Sequence, residues 1–275
     1  MADSERRTTM NSSCMNAILS RFDLAHVISH KESVMKLTGL ISPNYSEETL
    51  ADAYKVFPEG IRIEGRTLTV EKYTDDEFHR AEQAFAELVR DLARRPLDFL
   101  MITGELFLSY KGPGSDCQIL EAVKKITPTP ASTILTAVTG GCRALGLKRV
   151  VMATPFPEDQ DERLVRFLAH DGIEVVAFRG LGCPNAKVIW DLPPETGYEL
   201  ATSLLREHPD VDGVYMPCNK WRIVSVIDRI EKESGKPVVT NTQAWVWEAL
   251  RAMGMKTPIS GYGRLLSDAL SSHAG

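Results

Sequence analysis

The sequence lacks the features that mark several large functional classes of protein. Its 32 lysines and arginines are outnumbered by 37 aspartates and glutamates, and no basic run is present that would neutralise a phosphate backbone. The apolar runs, such as residues 211–217, are far shorter than the roughly 20 residues that cross a bilayer. The N-terminal segment mixes acids with arginines and has no continuous apolar stretch of the secretory type. We therefore expect a cytoplasmic protein that binds neither nucleic acid nor membrane.

Cysteine and histidine also lack the spacing of metal or disulfide sites. The five cysteines are odd in number and form no CxxC pair, and the six histidines form no HExxH or HxH motif. The chain carries no G-x-G-x-x-G or Walker-type loop either. We expect free thiols, no metal and no nucleotide or other cofactor. The cysteines are Cys14, Cys117, Cys142, Cys183 and Cys218.

Short apolar runs alternate with stretches of helical periodicity from Lys36 to the end of the chain. Several runs are apolar throughout, as expected for strands covered on both faces. The predicted strands are 35–41, part of 61–70, 99–102, 149–153, 174–178, 213–216 and 237–240. The predicted helices are 75–94, 136–145, 158–170, 195–207, 220–234 and 243–253, with a further helical pattern at 15–28 in an appendage. This alternation is typical of an α/β protein with parallel sheets.

Two segments echo each other. LMITGE at 100–105 and VYMPCN at 214–219 each consist of an apolar run that enters a turn. In a parallel sheet, ligands gather at the carboxyl ends of the strands, where turns and helix N-termini present unpaired N–H groups. The echo therefore predicts two equivalent strand ends that face each other across one cleft.

Cys218 is the strongest single candidate for chemistry. It follows an apolar strand and precedes a predicted helix that begins at Lys220 or Trp221. The positive end of that helix and the Lys220 ammonium would both favour a thiolate, so we consider a nucleophile, base or acid. The alternative is a small semi-apolar residue that only packs at the strand end.

Four stretches resemble arylmalonate decarboxylases and bacterial maleate cis-trans isomerases of the aspartate/glutamate racemase superfamily. They are TGELFLSYKGPGSD at 103–116, the segment at 135–176, DGVYMPCNK at 212–220, and VVTNTQAWVWEALRAMG at 238–254 followed by GYGRLL. The resemblance implies two similar lobes, each a short parallel sheet flanked by helices, related by a pseudo-twofold axis with the site between them. We predict an extension at 1–33, lobe one at 34–134 plus 241–275, and lobe two at 135–240.

The resemblance also implies one candidate site cysteine in each lobe. Here the first position aligns with Gly104 and the second with Cys218, which is the decarboxylase arrangement. There the thiol protonates an enediolate held by a set of hydrogen-bond donors, the dioxyanion hole. The positions of those donors align with Gly104, Glu105, Leu106, Phe156 and Asn219. Leu106 and Phe156 bring no side-chain donor, so arylmalonate decarboxylation as such is in question.

Glu105 is the sharpest departure from the family pattern. Desolvation at the end of a strand would raise its pKa, and a neutral carboxylic acid donates a hydrogen bond to a substrate oxygen. Two further roles stay open: a general base, which includes activation of water, and a solvated loop acid.

Further predicted substrate contacts come from the resemblance and from cleft charge. Asn44 and Ser46 compete for a carboxylate-binding role after the first strand, and Asn241 and Thr242 follow the last strand, where helix capping is the alternative. Lys220 would offset the negative charge of a dicarboxylate.

We therefore predict a cofactor-independent lyase that acts on a small dicarboxylic or monocarboxylic acid through Cys218. The alternatives are a maleate-type cis-trans isomerase or racemase, and a non-catalytic protein that binds a metabolite on the same fold. The sequence leaves substrate identity, stereochemistry, association into a homo-oligomer and the role of the N-terminal extension undetermined.

Overall fold

The computed structural model describes residues 35–270. The predicted helix at 15–28 lies outside these residues. Contacts within the chain define one compact unit that begins at Lys36.

Two four-stranded parallel sheets form the framework. Their strands are β1 (Lys36–Ser42), β2 (Ile61–Thr67), β3 (Phe99–Ile102) and β4 (Ala131–Thr133), and then β5 (Arg149–Thr154), β6 (Glu174–Gly180), β7 (Gly213–Met216) and β8 (Val238–Thr240). The strand order is β2-β1-β3-β4 in one sheet and β6-β5-β7-β8 in the other. The same order in both sheets confirms the predicted two-lobe α/β fold.

The two sheets also agree in register. Residues 100–102 of β3 pair with residues 131–133 of β4, and residues 214–216 of β7 pair with residues 238–240 of β8 in the same way. Each lobe therefore repeats the same arrangement of two neighbouring strand ends. This repetition places the turns after β3 and β7 at equivalent positions.

Helices lie between the strands. Over residues 35–270 they are α1 (Glu47–Val56), α2 (Asp75–Leu92), α3 (Glu105–Ser109), α4 (Ser115–Lys124), α5 (Ile134–Ala144), α6 (Glu158–His170), α7 (Ala186–Asp191), α8 (Pro194–Glu207), α9 (Ile227–Ser234), α10 (Asn241–Ala252) and α11 (Arg264–Ser267). In the part of the chain that the structure describes, none of them is long and apolar enough to cross a membrane.

The helix α2 illustrates how the sequence specifies an element. Thr74 caps its N-terminus by accepting a hydrogen bond from the Glu77 N–H, and three acids occupy the first turn. Its buried residues are Phe78, Ala81, Phe85, Val89 and Leu92, at helical spacing. The apolar stripe packs on β2 and β1 of the first lobe.

The helices α5 and α10 begin directly after the equivalent strands β4 and β8, and they pack against each other. Thr133 and Thr240 cap them, each by accepting a hydrogen bond from the N–H three residues ahead. Gly140 of α5 admits the Trp247 ring, whose nearest atom lies 3.3 Å from where a Cβ would be. This helix pair fixes the first lobe against the second.

The prediction of a helix from residue 220 is wrong. The chain forms turns after Cys218, then a single 3₁₀ turn at Val224–Val226, and α9 begins only at Ile227. Trp221 and Ile223 are buried, so packing into the core holds these residues in the turn conformation. The sequence prediction also missed β4, which is only three residues long, and the helices α1, α3, α4, α7 and α11.

Candidate active site

The turns after β3 and β7 share an unusual backbone. Gly104 has φ of 98° and Cys218 has φ of 85°. This region suits glycine, whereas a side chain there is strained, and such strain concentrates at functional sites. Cys218 and Thr69 are the non-glycine residues with positive φ among residues 35–270. The strained thiol is the first structural indication of a site.

Both turns open into one cleft. Its polar lining consists of Ser42, Asn44, Thr103, Glu105, Asn219 and Lys220. Its apolar lining includes Val70, Phe78, Leu106, Phe107, Phe156 and Ala186, and Gly104, Tyr73 and Cys218 complete the centre. The cleft offers about 60 Å³ to the centres of water molecules. One water needs about 10–15 Å³ by this measure, so the space suits a ligand of a few heavy atoms.

A wider groove continues from the cleft. It shares Asn44, Val70, Ala186 and Lys220 with the cleft and adds Glu71, Asn185, Lys187 and Trp190. A ligand larger than the inner space would extend toward these residues. The ammonium groups of Lys187 and Lys220 outnumber the single carboxylate of Glu71, so the net positive charge of this groove favours carboxylate ligands.

The Cys218 thiol is buried and protonated at neutral pH. Burial raises its pKa well above the usual range, and the nearby Glu105 carboxylate raises it further. The backbone N–H groups of Lys220 and Trp221 donate to the sulfur and lower the pKa, as does the Lys220 charge, but less strongly than burial raises it. The expectation of a thiolate at a helix N-terminus is wrong, because α9 begins nine residues after Cys218 and desolvation dominates.

Glu105 is the first residue of α3 and is buried, with 4% of its surface exposed. Burial raises the pKa of its carboxyl to about 7. Asn241 Nδ2 donates to Glu105 Oε2 over 2.9 Å, and the Cys218 backbone N–H also donates to this carboxyl. The interpretation of Glu105 as a solvated loop acid is therefore wrong.

Asn241 links the carboxyl to a buried tyrosine. Its Oδ1 accepts a hydrogen bond of 2.9 Å from the Tyr215 hydroxyl, while its Nδ2 donates to Glu105. Tyr215 and Asn241 are fully buried. The chain of hydrogen bonds fixes the position of the Glu105 carboxyl beside the thiol-bearing turn.

Gly104 is held by packing as well as by its backbone angle. A Cβ at this position would lie 2.2 Å from Pro43 Cγ and 2.6 Å from Pro43 Cδ. A second cysteine cannot be accommodated opposite Cys218 unless Pro43 moves. The cleft therefore carries one thiol at its centre.

The structure brings most of the predicted site residues together. Cys218, Glu105, Gly104, Leu106, Asn44, Phe156, Asn219 and Lys220 all line the cleft. Ser46 lies behind the lining, where its Oγ accepts a hydrogen bond of 2.7 Å from Lys220 Nζ. Asn241 acts through Glu105, and Thr242 is buried in the first turn of α10 and does not line the cleft. Their catalytic and binding roles stay predictions.

The cleft wall contains two further side-chain donors, of which the position of Asn219 was predicted from the sequence and Tyr73 was missed. The side-chain amide nitrogen of Asn219 is buried and has no hydrogen-bond partner among the described residues. Tyr73 contributes a phenol from the loop between β2 and α2. A signal existed, because this loop follows the carboxyl end of β2 on the same edge of the sheet as Gly104. Among residues 35–270, no group of three or more His, Cys, Asp or Glu side chains is placed to hold a metal ion.

Comparison with known proteins gives a consistent result. A family model described as arylmalonate decarboxylase matches residues 38–266. Arylmalonate decarboxylase from Bordetella bronchiseptica is 27% identical over 232 residues, which are 84% of this chain and 96% of that protein. A maleate isomerase from Nocardia farcinica is 27% identical over 161 residues, which are 56% of this chain and 63% of that protein. A solved structure of an arylmalonate decarboxylase double variant in its liganded form superposes with a TM-score of 0.79 at 26% identity, covering 84% of this chain and 98% of the other.

Proposed function

The chain belongs to the arylmalonate decarboxylase family, and on this basis we propose that it is a cofactor-independent lyase that decarboxylates a small malonate-type dicarboxylic acid through Cys218. Its relatives are named as decarboxylases and isomerases, and the chain is an enzyme of one of these two types. The choice of decarboxylation depends on the cleft.

The observation that carries this choice is a single protonated thiol opposite Gly104. Racemisation through two thiols needs an acid and a base on opposite faces of the substrate, and Pro43 leaves no room for a side chain at 104. Isomerisation by thiol addition needs a thiolate, whereas burial keeps Cys218 protonated. A neutral thiol that faces the cleft is suited to act as an acid.

In the proposed step, the bond between Cα and one carboxyl group breaks and carbon dioxide leaves. The electron pair stays on Cα, which becomes the carbon of an enediolate. The Cys218 S–H bond then breaks and its proton forms the new C–H bond on one face. The thiolate regains a proton from solvent before the next turnover.

The enediolate oxygens need donors that are in place before charge develops. Glu105, with a pKa of about 7, is partly protonated at neutral pH and donates from its carboxylic acid form. The Asn219 amide nitrogen and the Lys220 ammonium line the same cleft. Lys220 also offsets the negative charge of the incoming dicarboxylate.

The test is turnover in D₂O with a panel of 2-aryl- and 2-alkylmalonates, and with maleate in parallel. We expect carbon dioxide release and one deuterium at Cα of the product, measured by NMR and mass spectrometry. Conversion of maleate to fumarate without carbon dioxide release would instead identify an isomerase. Exchange of an α-proton without decarboxylation would identify a racemase, and binding without turnover of any compound would identify a binding protein.

Removal of metal is a separate control. We expect dialysis against EDTA to leave the rate unchanged, because the proposed step uses only the thiol and the hydrogen-bond donors of the cleft. Loss of activity that one specific metal ion restores would contradict the proposal.

A further inference from the structure

Tyr73 brings a phenol hydroxyl into the cleft from a loop to which the sequence assigned no role. It directly precedes Thr74, which caps α2. Its ring packs edge-on against Phe156, with the ring centroids 6.0 Å apart and the ring planes at 86°. Both rings line the cleft, Tyr73 from the first lobe and Phe156 from the second.

The Tyr73 hydroxyl has no hydrogen-bond partner among the residues that the structure describes, whereas the Tyr73 carbonyl accepts a hydrogen bond from Gln160 Nε2. Other tyrosines satisfy theirs: Tyr215 donates to Asn241 Oδ1 over 2.9 Å, and Tyr110 donates to Glu82 Oε2 over 2.7 Å. A tyrosine that is largely buried normally finds such a partner. An open phenol that lines the cleft is therefore available to a ligand.

The surroundings of Tyr73 keep it protonated. Burial raises its pKa beyond the usual range, and the neighbouring ionisable groups Cys218 and Glu105 raise the pKa further. These groups act because the phenol lies near both of them. Tyr73 thus stays a neutral donor over the whole range in which Glu105 titrates.

The Tyr73 loop is anchored to both lobes. Val70 N–H donates to the Pro43 carbonyl over 3.0 Å in the first lobe. Arg163 of α6 in the second lobe forms an ion pair of 2.6 Å with Asp75, two residues after Tyr73. These contacts attach the loop to both lobes before a ligand arrives, and a preorganised donor requires such attachment.

We propose that Tyr73 is a catalytic residue, and that its hydroxyl donates a hydrogen bond to an enediolate oxygen of the substrate. This inference rests on the proposed decarboxylation. Phe156, across the cleft, has no hydroxyl, so Tyr73 is the donor in this pair of rings.

The test uses the nitronate of phenylnitromethane, which has a planar carbon and two anionic oxygens like the enediolate. Calorimetry compares its affinity for the wild type, for Tyr73→Phe and for the control Tyr262→Phe. Tyr262 donates to the Lys55 carbonyl over 2.9 Å and does not line the cleft. We expect Tyr73→Phe to weaken binding by about 10- to 100-fold and to lower kcat/KM on the best malonate by about 10²- to 10³-fold. The control should match the wild type.

The outcomes separate this inference from the proposed function. Equal nitronate affinity in the wild type and a folded Tyr73→Phe variant would overturn the role of Tyr73 alone. A wild type that does not bind the nitronate would overturn the enediolate reaction and this inference with it.

A second variant restores the hydroxyl from the other lobe. A hydroxyl on the Phe156 ring would enter the same cleft, so Tyr73→Phe combined with Phe156→Tyr should recover about tenfold or more of the lost affinity. Recovery would assign the loss to the missing hydroxyl, because the ring contact between 73 and 156 is kept. A folded double variant without recovery would overturn the assignment of the hydroxyl to a substrate oxygen.

Discussion

The turn after β3 and the turn after β7 share a positive φ but carry different chemical groups. Gly104 and Cys218 both have positive φ, and both follow the strand that lies third in its sheet. The first turn offers a bare backbone and then the Glu105 carboxyl, whereas the second offers a thiol and then the Asn219 amide. The fold thus provides two equivalent turns for a reactive group. The side chains at positions 104 and 218 decide which of the two turns carries the thiol.

The difference extends to the helices behind the turns. Thr133 and Thr240 cap α5 and α10 in the same manner. The residue after the cap is Ile134 behind β4 and Asn241 behind β8, and Asn241 donates a hydrogen bond to the Glu105 carboxyl. The turn after β3 of one sheet therefore supplies the carboxyl, and the helix after β8 of the other sheet positions it.

The largest expected effect comes from removing the thiol of the turn after β7. Cys218→Ala removes the proposed acid, and we expect the decarboxylation rate to fall by about 10²- to 10⁴-fold, the usual contribution of a positioned acid. Release of carbon dioxide measures it. The matched control is Cys117→Ser, at an exposed thiol outside the cleft, which should keep the wild-type rate. A Cys218→Ala rate within tenfold of the wild type would contradict the single-thiol mechanism.

The next effect tests whether the first turn accepts a thiol. Gly104→Cys should lower the free energy of unfolding by about 2–5 kcal/mol, because the side chain meets both a positive φ and Pro43. Urea unfolding measures the loss. Adding Pro43→Ala removes the clash, so the double variant should recover the packing part of it, about 1–3 kcal/mol. An unperturbed unfolding midpoint in Gly104→Cys would show that Pro43 does not guard the turn.

Glu105→Gln keeps a hydrogen-bond donor but cannot ionise. Because Glu105 is the proposed donor in its protonated form, wild-type activity should fall as the pH rises through about 7. The variant should keep its activity within about tenfold, since an amide N–H still donates, and should lose this alkaline limb. The pH–rate profile measures both. Loss of activity at every pH would instead indicate a general base, and an unchanged profile would remove Glu105 from the reaction.

The same substitution has a signature in stability. Folding raises the pKa of Glu105 from 4.5 to about 7. The protonated carboxyl therefore makes its full contribution to the free energy of unfolding below about pH 4.5, and this contribution is lost as the pH rises to about 7. As the pH rises between these limits, the free energy of unfolding of Glu105→Gln should increase by about 3 kcal/mol relative to that of the wild type. Burial raises the pKa of Asp161 to about 7 as well. Its effect on stability cancels in the difference between the two proteins, because both contain Asp161. A pH-independent difference in urea unfolding would contradict the buried carboxyl.

The smallest expected effect measures the backbone strain at residue 218. At residue 218, Gly should be more stable than Ala by about 1–2 kcal/mol, because only Gly adopts positive φ without strain. Both variants lack the thiol, so differential urea unfolding of Cys218→Gly and Cys218→Ala isolates the backbone term. Equal stability would mean that the turn relaxes and that Cys218 is not strained.

Local patterns in the sequence were sufficient for much of the fold. The strands Phe99–Ile102 and Gly213–Met216 and the helix Glu158–His170 match their predicted bounds, because alternation and helical spacing depend on neighbours a few residues away. The echo between the segments at 100–105 and 214–219 also placed Gly104 and Cys218 at equivalent strand ends. What failed were short elements such as β4, and the segment after Cys218, where buried Trp221 and Ile223 override local helical spacing.

By itself the sequence determined the two-lobe α/β fold, the family and the single thiol at the end of β7. The protonation states and the partners were decided by tertiary structure. Glu105 is bonded to Asn241, 136 residues away in the chain, and Tyr73 meets Phe156 across the two lobes. Burial, and the pKa shifts that it causes, depend on which distant residues exclude water from a group. Local periodicity contains no information on those contacts, so the buried carboxyl, the neutral thiol and the open phenol emerged only when both lobes were in place.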